Sequence, residues 1–182
     1  MKKPRPKTGP TGKVAGSKSA SPPSRSSVRP RLRPPPALPS EWHEFLSLLI
    51  AHRVRFIVVG AHALAALGKP RNTADLDLFV EPTATNARRL GAALREFGFA
   101  ALADASPAFA RGKRMARLGH EPLRIDVMNH IDGVSFASAW KGRVPGTVAG
   151  LRLSFLGEAQ FRRNKRAAGR PKDLLDLALL DE

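Results

Sequence analysis

Three aspartates carry the most specific chemistry in this chain. Asp75 and Asp77 stand two residues apart in Thr73-Ala74-Asp75-Leu76-Asp77-Leu78, and Asp126 lies inside Leu123-Arg124-Ile125-Asp126-Val127-Met128. Both stretches read as strands, where residues two apart share a face with Cα atoms about 6.6 Å apart. Two carboxylates that close repel unless a cation or a proton lies between them. A pair of Mg²⁺ ions about 3.5–4 Å apart suits them, as in sites for in-line phosphoryl displacement. Asp126 sits between Ile125 and Val127, so its side chain points to the opposite face, and burying it without a partner is costly. One partner is the cation that serves Asp75 and Asp77, which makes an oxygen-rich octahedral site for Mg²⁺ or Mn²⁺. The other is an ion pair with Arg124 or another arginine.

The elements that must position these acids follow from periodicity. Arg55-Phe56-Ile57-Val58-Val59 is β-branched and aromatic and stops at Gly60, which predicts a buried strand entering a tight turn. Residues 62–67 are good helix formers, ended by Gly68-Lys69-Pro70, and residues 73–80 form the acidic strand. Upstream, Phe45, Leu48, Leu49 and His52 recur at helical spacing, which predicts a helix over 42–52 with Ser40 as its cap. Downstream, Glu81-Pro82-Thr83 opens a helix whose buried stripe is Ala87, Leu90, Leu94 and Phe97, with Gly98 as its stop. The pattern then predicts a short strand over 99–102, a loop over 103–112, a strand over 114–118 and the Asp126 strand over 123–128. Asp132 reads as turn chemistry in Asp132-Gly133. A helix over 135–140, a loop over 143–146, a strand over 151–155 and helices over 156–166 and 172–180 complete the chain. In the last of these, Leu174, Leu175 and Leu179 point to the core. Met115 and Met128 also read as core, and His62 as a packing or surface hydrogen-bonding group.

A strand, a Gly-containing turn, a short helix and then Arg71-x-Thr73-x-Asp75-x-Asp77 resemble the polymerase-β-type nucleotidyltransferase signature. The wider chain is similar to the small bacterial nucleotidyltransferases of the AbiEii/MenT-like toxin group. The matching pieces are VVGAHAL, RNTADLDLFVEP, NARRLGAALREFGF, LRIDVMNHIDGVSFASAW and FRRNKRAAGRPKDLLDLALL, within residues 45–180. This resemblance implies an α+β nucleotidyltransferase fold over residues 40–182, a twisted mixed sheet flanked by helices. It implies transfer of a nucleoside monophosphate from an NTP to an acceptor hydroxyl on tRNA, another RNA or a protein. A toxin's role beside a cognate antitoxin belongs to the same implication. Asp75, Asp77 and Asp126 match the family's catalytic, metal-holding carboxylates. Gly60 and Ala61 match its phosphate turn, Arg71 and Thr73 its triphosphate contacts, and Lys165, Arg170, Lys172 and Asp173 its nucleotide grip. Relatives carry Gly-Gly or Gly-Ser at the turn, so Ala61 lacks both the bare backbone and the hydroxyl. The alternative is that Arg71 and Thr73 are surface and strand filler and that Lys165 belongs to a solvated face with Arg162, Arg163 and Arg166.

The 182 residues hold one domain of ordinary size and an N-terminal arm. Cysteine is absent, which excludes disulfides and thiolate metal sites. No apolar run approaches the ~20 residues of a membrane span, so no membrane partner is expected. The first forty residues lack the apolar core of a secretory signal, and a bacterial cytoplasmic protein is the expectation. The net charge is +16, and residues 1–40 contain ten Lys or Arg, no acid, and 10 of the 16 prolines. Such a segment cannot offset its ordering entropy by burial, so residues 1–39 are expected to be disordered. It is either a counterion-releasing arm for RNA or DNA, or a solubilising tail or upstream-extended start. Two further readings of the whole chain remain. One is a catalytically inactive nucleotide- or nucleic-acid-binding module on the same fold, supported by Ala61. The other is a plain basic nucleic-acid binder whose acids are structural.

Overall fold

The computed structural model describes residues 38–182. The expected arm therefore lies outside the described residues, apart from Leu38 and Pro39. Six strands form one mixed sheet: β1 (Phe56–Val58), β2 (Asp75–Val80), β3 (Met115–Leu118), β4 (Arg124–Met128), β5 (Val144–Val148) and β6 (Leu151–Phe155). Their spatial order is β3-β4-β2-β1-β6-β5. The helices are α1 (Ser40–Ala51), α2 (Gly60–Ala66), α3 (Ala84–Glu96), α4 (Ala100–Ala105), α5 (Phe136–Lys141), α6 (Glu158–Ala168) and α7 (Pro171–Asp181). The expected α+β architecture, a mixed sheet flanked by helices, is present. No helix among the described residues is long and apolar enough to cross a membrane.

All three residues of β1 are buried, as a central strand covered on both faces requires. In β2, Leu76 and Leu78 are buried while Asp75 and Asp77 share the other, half-open face. β2 and β4 run parallel, with Asp75 opposite Arg124 and Asp77 opposite Asp126. β3 runs antiparallel to β4 on the sheet edge, with Arg117 opposite Asp126 and Met115 opposite Met128. One face of three adjacent strands thus carries acids, arginines and methionines, while Leu118, Ile125 and Val127 point into the core.

α1 buries Trp42, Phe45, Leu46 and Leu49 and packs against α3. Each fully buried Leu contributes roughly 1.5–3 kcal/mol relative to exposure. Thr83 caps α3, its hydroxyl accepting from the Asn86 amide at 3.2 Å. The buried Asn86 side chain accepts from the Arg55 amide at 2.7 Å and donates to the Arg55 and Glu81 carbonyls at 3.0 and 3.1 Å. It ties the start of β1 and the end of β2 to the helix.

Several expectations are corrected. Ser40 is not the cap of α1; Pro39 holds that position, and the Ser40 hydroxyl donates to Glu41 at 3.0 Å. The expected strand over 99–102 is the start of α4, because Ala100, Ala101, Leu102 and Ala103 outweigh the single aromatic Phe99. The expected loop over 103–112 contains the rest of α4 and a 3₁₀ turn, Ser106–Ala110, that buries Phe109. The expected loop over 143–146 enters β5, an edge strand, where Pro145 is tolerated. Leu174 and Leu175 are 58% and 68% exposed, because α7 turns Asp173 and Asp176 inward instead. Met115, read as core, is 56% exposed on β3, and Met128 is half-buried.

Asn86→Ala is expected to lower stability by roughly 2–3 kcal/mol, since it leaves buried backbone groups without partners. Leu175→Gln is expected to stay within about 0.5 kcal/mol. Urea denaturation of both variants checks the pair of values.

Candidate active site

A cleft of about 360 Å³ opens over the β2–β4 face. Gly60, Arg71, Asp75, Asp77, Asp126, Lys165, Arg170 and Lys172 all line it, so residues far apart in sequence meet there. Three of the expected site residues are not in its lining. Ala61 is buried among the α2 core residues. The Thr73 hydroxyl faces its own chain, 3.3 Å from the Asp75 amide. Asp173 is fully buried behind the wall.

The cleft floor is a crowd of like charges relieved unevenly. The Arg124 guanidinium bonds Asp75 Oδ2 through Nη2, and its Nε lies 3.5 Å from Asp126 Oδ1. Arg117 donates to the same Asp126 oxygen at 3.2 Å. Asp75 Oδ1 is buried with no hydrogen-bond partner. Asp77 enters no ion pair among the described residues, whereas its neighbours Asp75 and Asp126 do. Burial raises its pKa first, and the charges of Asp126 and Asp75 add to that, with Lys172 and Lys165 partly opposing. Gly60 sits directly against this carboxylate. Its φ of +63° belongs to the left-handed region, and a Cβ there would collide with Asp77 Oδ2. Glycine is required twice over, once by the backbone and once by the acid.

The opposite wall is built by α6 and α7. Gly169, at φ +62°, closes α6 and turns the chain into α7. Lys165 is 4% exposed; its Nζ donates to Asp173 Oδ1 at 2.8 Å and lies 2.7 Å from Asp176 Oδ2. Arg170 donates through Nε to Asp173 Oδ2 at 2.6 Å. Arg71 donates through Nε and Nη2 to Asp176 at 2.6 and 3.2 Å. Burial pushes the Asp173 carboxyl up, but the bonds from Arg170 and Lys165 outweigh it and hold it at about 2. Asp176 is likewise lowered, burial being outweighed by Arg71 and Lys165. Lys165 is thus a buried tie between two acids that fix Arg71 and Arg170 at the rim. Lys172, two residues after Arg170, is exposed beside them.

His62 packs edge-on against Trp42 with ring centroids 5.3 Å apart, which agrees with a packing role. Burial lowers its pKa first; the Asp75 backbone bond opposes this, and Arg71 adds to it. Sequence reading missed Arg117 and Asp176. Arg117 has no signal before the β3–β4 register is known. For Asp176 there was one: Asp173 and Asp176 are three apart on one helix face, and two acids sharing a face call for cations.

The oxygen donors suit a hard divalent cation: Asp75 Oδ1 is orphaned and Asp77 is unpaired. Among the described residues, however, no group of three or more His, Cys, Asp or Glu side chains is arranged to hold a metal ion. Arg124 and Arg117 engage Asp126 instead. No family model, curated protein or solved structure matches the chain.

Asp77→Asn is expected to stabilise the cation-free protein at neutral pH. The raised pKa means folding stability falls as pH rises through that of the folded Asp77, and Asn removes this loss. Urea denaturation in chelator should show a higher midpoint for the variant, with the gap closing in acid; a lower midpoint would reveal a partner for Asp77. Lys165→Met is expected to cost about 3 kcal/mol, because it takes the buried cation from two carboxylates and leaves each with a rim arginine alone. The contribution of the depressed Asp173 is complete above the ordinary carboxylate range and is lost as pH falls towards 2. A pH series of denaturation midpoints for wild type and Lys165→Met checks both.

Proposed function

We propose that this protein is a nucleotidyltransferase that moves a nucleoside monophosphate from an NTP to an acceptor hydroxyl. The observation that carries the reading is the unpaired Asp77, opposite Asp126 and two residues from Asp75, on the floor of a cleft rimmed by Arg71, Arg170 and Lys172. Phosphoryl-type transfer needs positioning and charge neutralisation more than covalent help from the protein. Asp75 and Asp77 are the residues that would hold Mg²⁺ or Mn²⁺, which when bound would neutralise the triphosphate and lower the pKa of the attacking hydroxyl. Asp126 accepts the acceptor's proton. The acceptor oxygen bonds the α-phosphorus, the bond to the β-phosphate oxygen breaks, and pyrophosphate leaves. Arg71, Arg170 and Lys172 meet the charge growing on that leaving group, and the Asp176 and Asp173 bonds hold the two arginines in place. Gly60 leaves Asp77 room to face the cleft. The net charge of +16 favours an RNA acceptor such as tRNA over a protein.

A second reading, an inactive nucleotide-binding module on this fold, draws on a specific observation. Arg124 bonds Asp75 and faces Asp126, occupying the place a shared cation needs.

The test uses the full-length chain, each labelled NTP in turn, Mg²⁺ or Mn²⁺, and total bacterial RNA, with Asp77→Ala alongside. Label is expected on RNA with wild type and metal, and to fall by at least about a hundredfold in the variant. Transfer that survives Asp77→Ala would sink the proposal. Nucleotide binding without transfer to RNA or protein would establish the inactive module.

A further inference from the structure

The floor of the cleft changes character along the strands. At one register it holds Asp77, Asp126 and Arg117; two residues further along β4 it becomes Met128, paired with Met115 on β3. Two strand residues span about 6.6 Å, a separation a ribose bridges. Phe79, across from Met128 on β2, is sealed under Phe136 with ring centroids 5.2 Å apart, while Met115 is 56% exposed. A single exposed methionine needs no explanation. Here two of them pair in register, line the same cleft as the carboxylates, and form an apolar strip in an otherwise charged floor. Polar groups stand at the strip's edge. His130 Nε2 is buried without a hydrogen bond, 3.5 Å from Asp132 Oδ1. Asn164 donates through Nδ2 to the Asp132 carbonyl at 2.9 Å, which leaves its side-chain oxygen free to accept.

We infer that Met115 and Met128 form the seat for the nucleobase of the bound nucleotide, with His130 and Asn164 reading the base's edge. The inference rests on the nucleotidyltransferase reading and adds where the base lies and which residues set its identity. The cations of the opposite wall, Arg71, Arg170 and Lys172, take the phosphates. The carboxylates fall between the two ends, where the α-phosphate belongs. Thioethers are polarisable and adaptable, and they favour flat aromatic rings at close contact. Such a seat holds any base weakly, and discrimination comes from hydrogen bonds at its rim.

Calorimetric titration of the full chain in Mg²⁺ tests this, with ATP, GTP, CTP, UTP and inorganic tripolyphosphate as probes. Met115→Thr keeps a strand-forming residue at an exposed edge position and should fold. It is expected to weaken binding of the preferred NTP roughly two- to tenfold and leave tripolyphosphate unchanged. His130→Ala is expected to reorder affinities among the four NTPs. Equal affinity for NTPs and tripolyphosphate, or an equal loss of both in Met115→Thr, would overturn the base seat while leaving phosphate binding and the transferase reading intact. No binding of any probe would overturn both.

Discussion

Repulsion among carboxylates is the constraint on which the arrangement of the cleft depends. The parallel register of β2 and β4 sets Asp77 beside Asp126, and the strand period sets Asp75 on the same face. Nothing in the packing of Leu76, Leu78, Ile125 or Val127 requires acids there; apolar or neutral residues would form the same strands at lower cost. The protein relieves the crowding only in part. Arg124 and Arg117 attend to Asp75 and Asp126, and Asp77 is left with a raised pKa and Gly60 pressed against it. A site that keeps a destabilised charge is suited to a ligand that supplies the missing cation.

The second wall answers the first. Lys165, Asp173 and Asp176 form a buried ion cluster, which is rarely a net gain in stability over apolar packing. What it secures is orientation. Each acid holds the buried lysine with one hand and a rim arginine with the other, so Arg71, from the loop before β2, is locked to α7. Loop and helix are thereby fixed relative to the acidic strands, and flexible guanidiniums become positioned ones.

The strands and helices that line the cleft were legible in the sequence because each repeats a simple pattern. Val58-Val59-Gly60, the alternation in Asp75-Leu76-Asp77-Leu78, and Asp126 among apolar neighbours all lie where periodicity placed them. The misplaced side chains share one cause, which is that pattern reading assumes apolar residues face inward. α7 reverses that, hiding two aspartates and exposing Leu174 and Leu175 because long-range cations reach the acids. Met115 reverses it too, since β3 is an edge strand whose face opens on the cleft. Arg124 was legible as a partner for Asp126, its neighbour but one, whereas its bond to Asp75 and the pairing of Arg117 with Asp126 come only through strand register, which local sequence does not encode. The short elements over 99–112 and 143–148 depended on Ala content and edge position rather than on hydrophobic alternation.

The most direct measurement is Mn²⁺ binding, followed by electron paramagnetic resonance, to the wild type and to Asp77→Asn, with and without a non-hydrolysable NTP. Saturable binding that tightens with nucleotide and is lost in the variant is the expected result, because Asp77 is the carboxylate left without a cation. Binding that the substitution leaves untouched, or no binding at millimolar Mn²⁺ with nucleotide present, would mean that Arg124 and Arg117 are the permanent partners of these acids and that the cleft performs no cation-assisted chemistry.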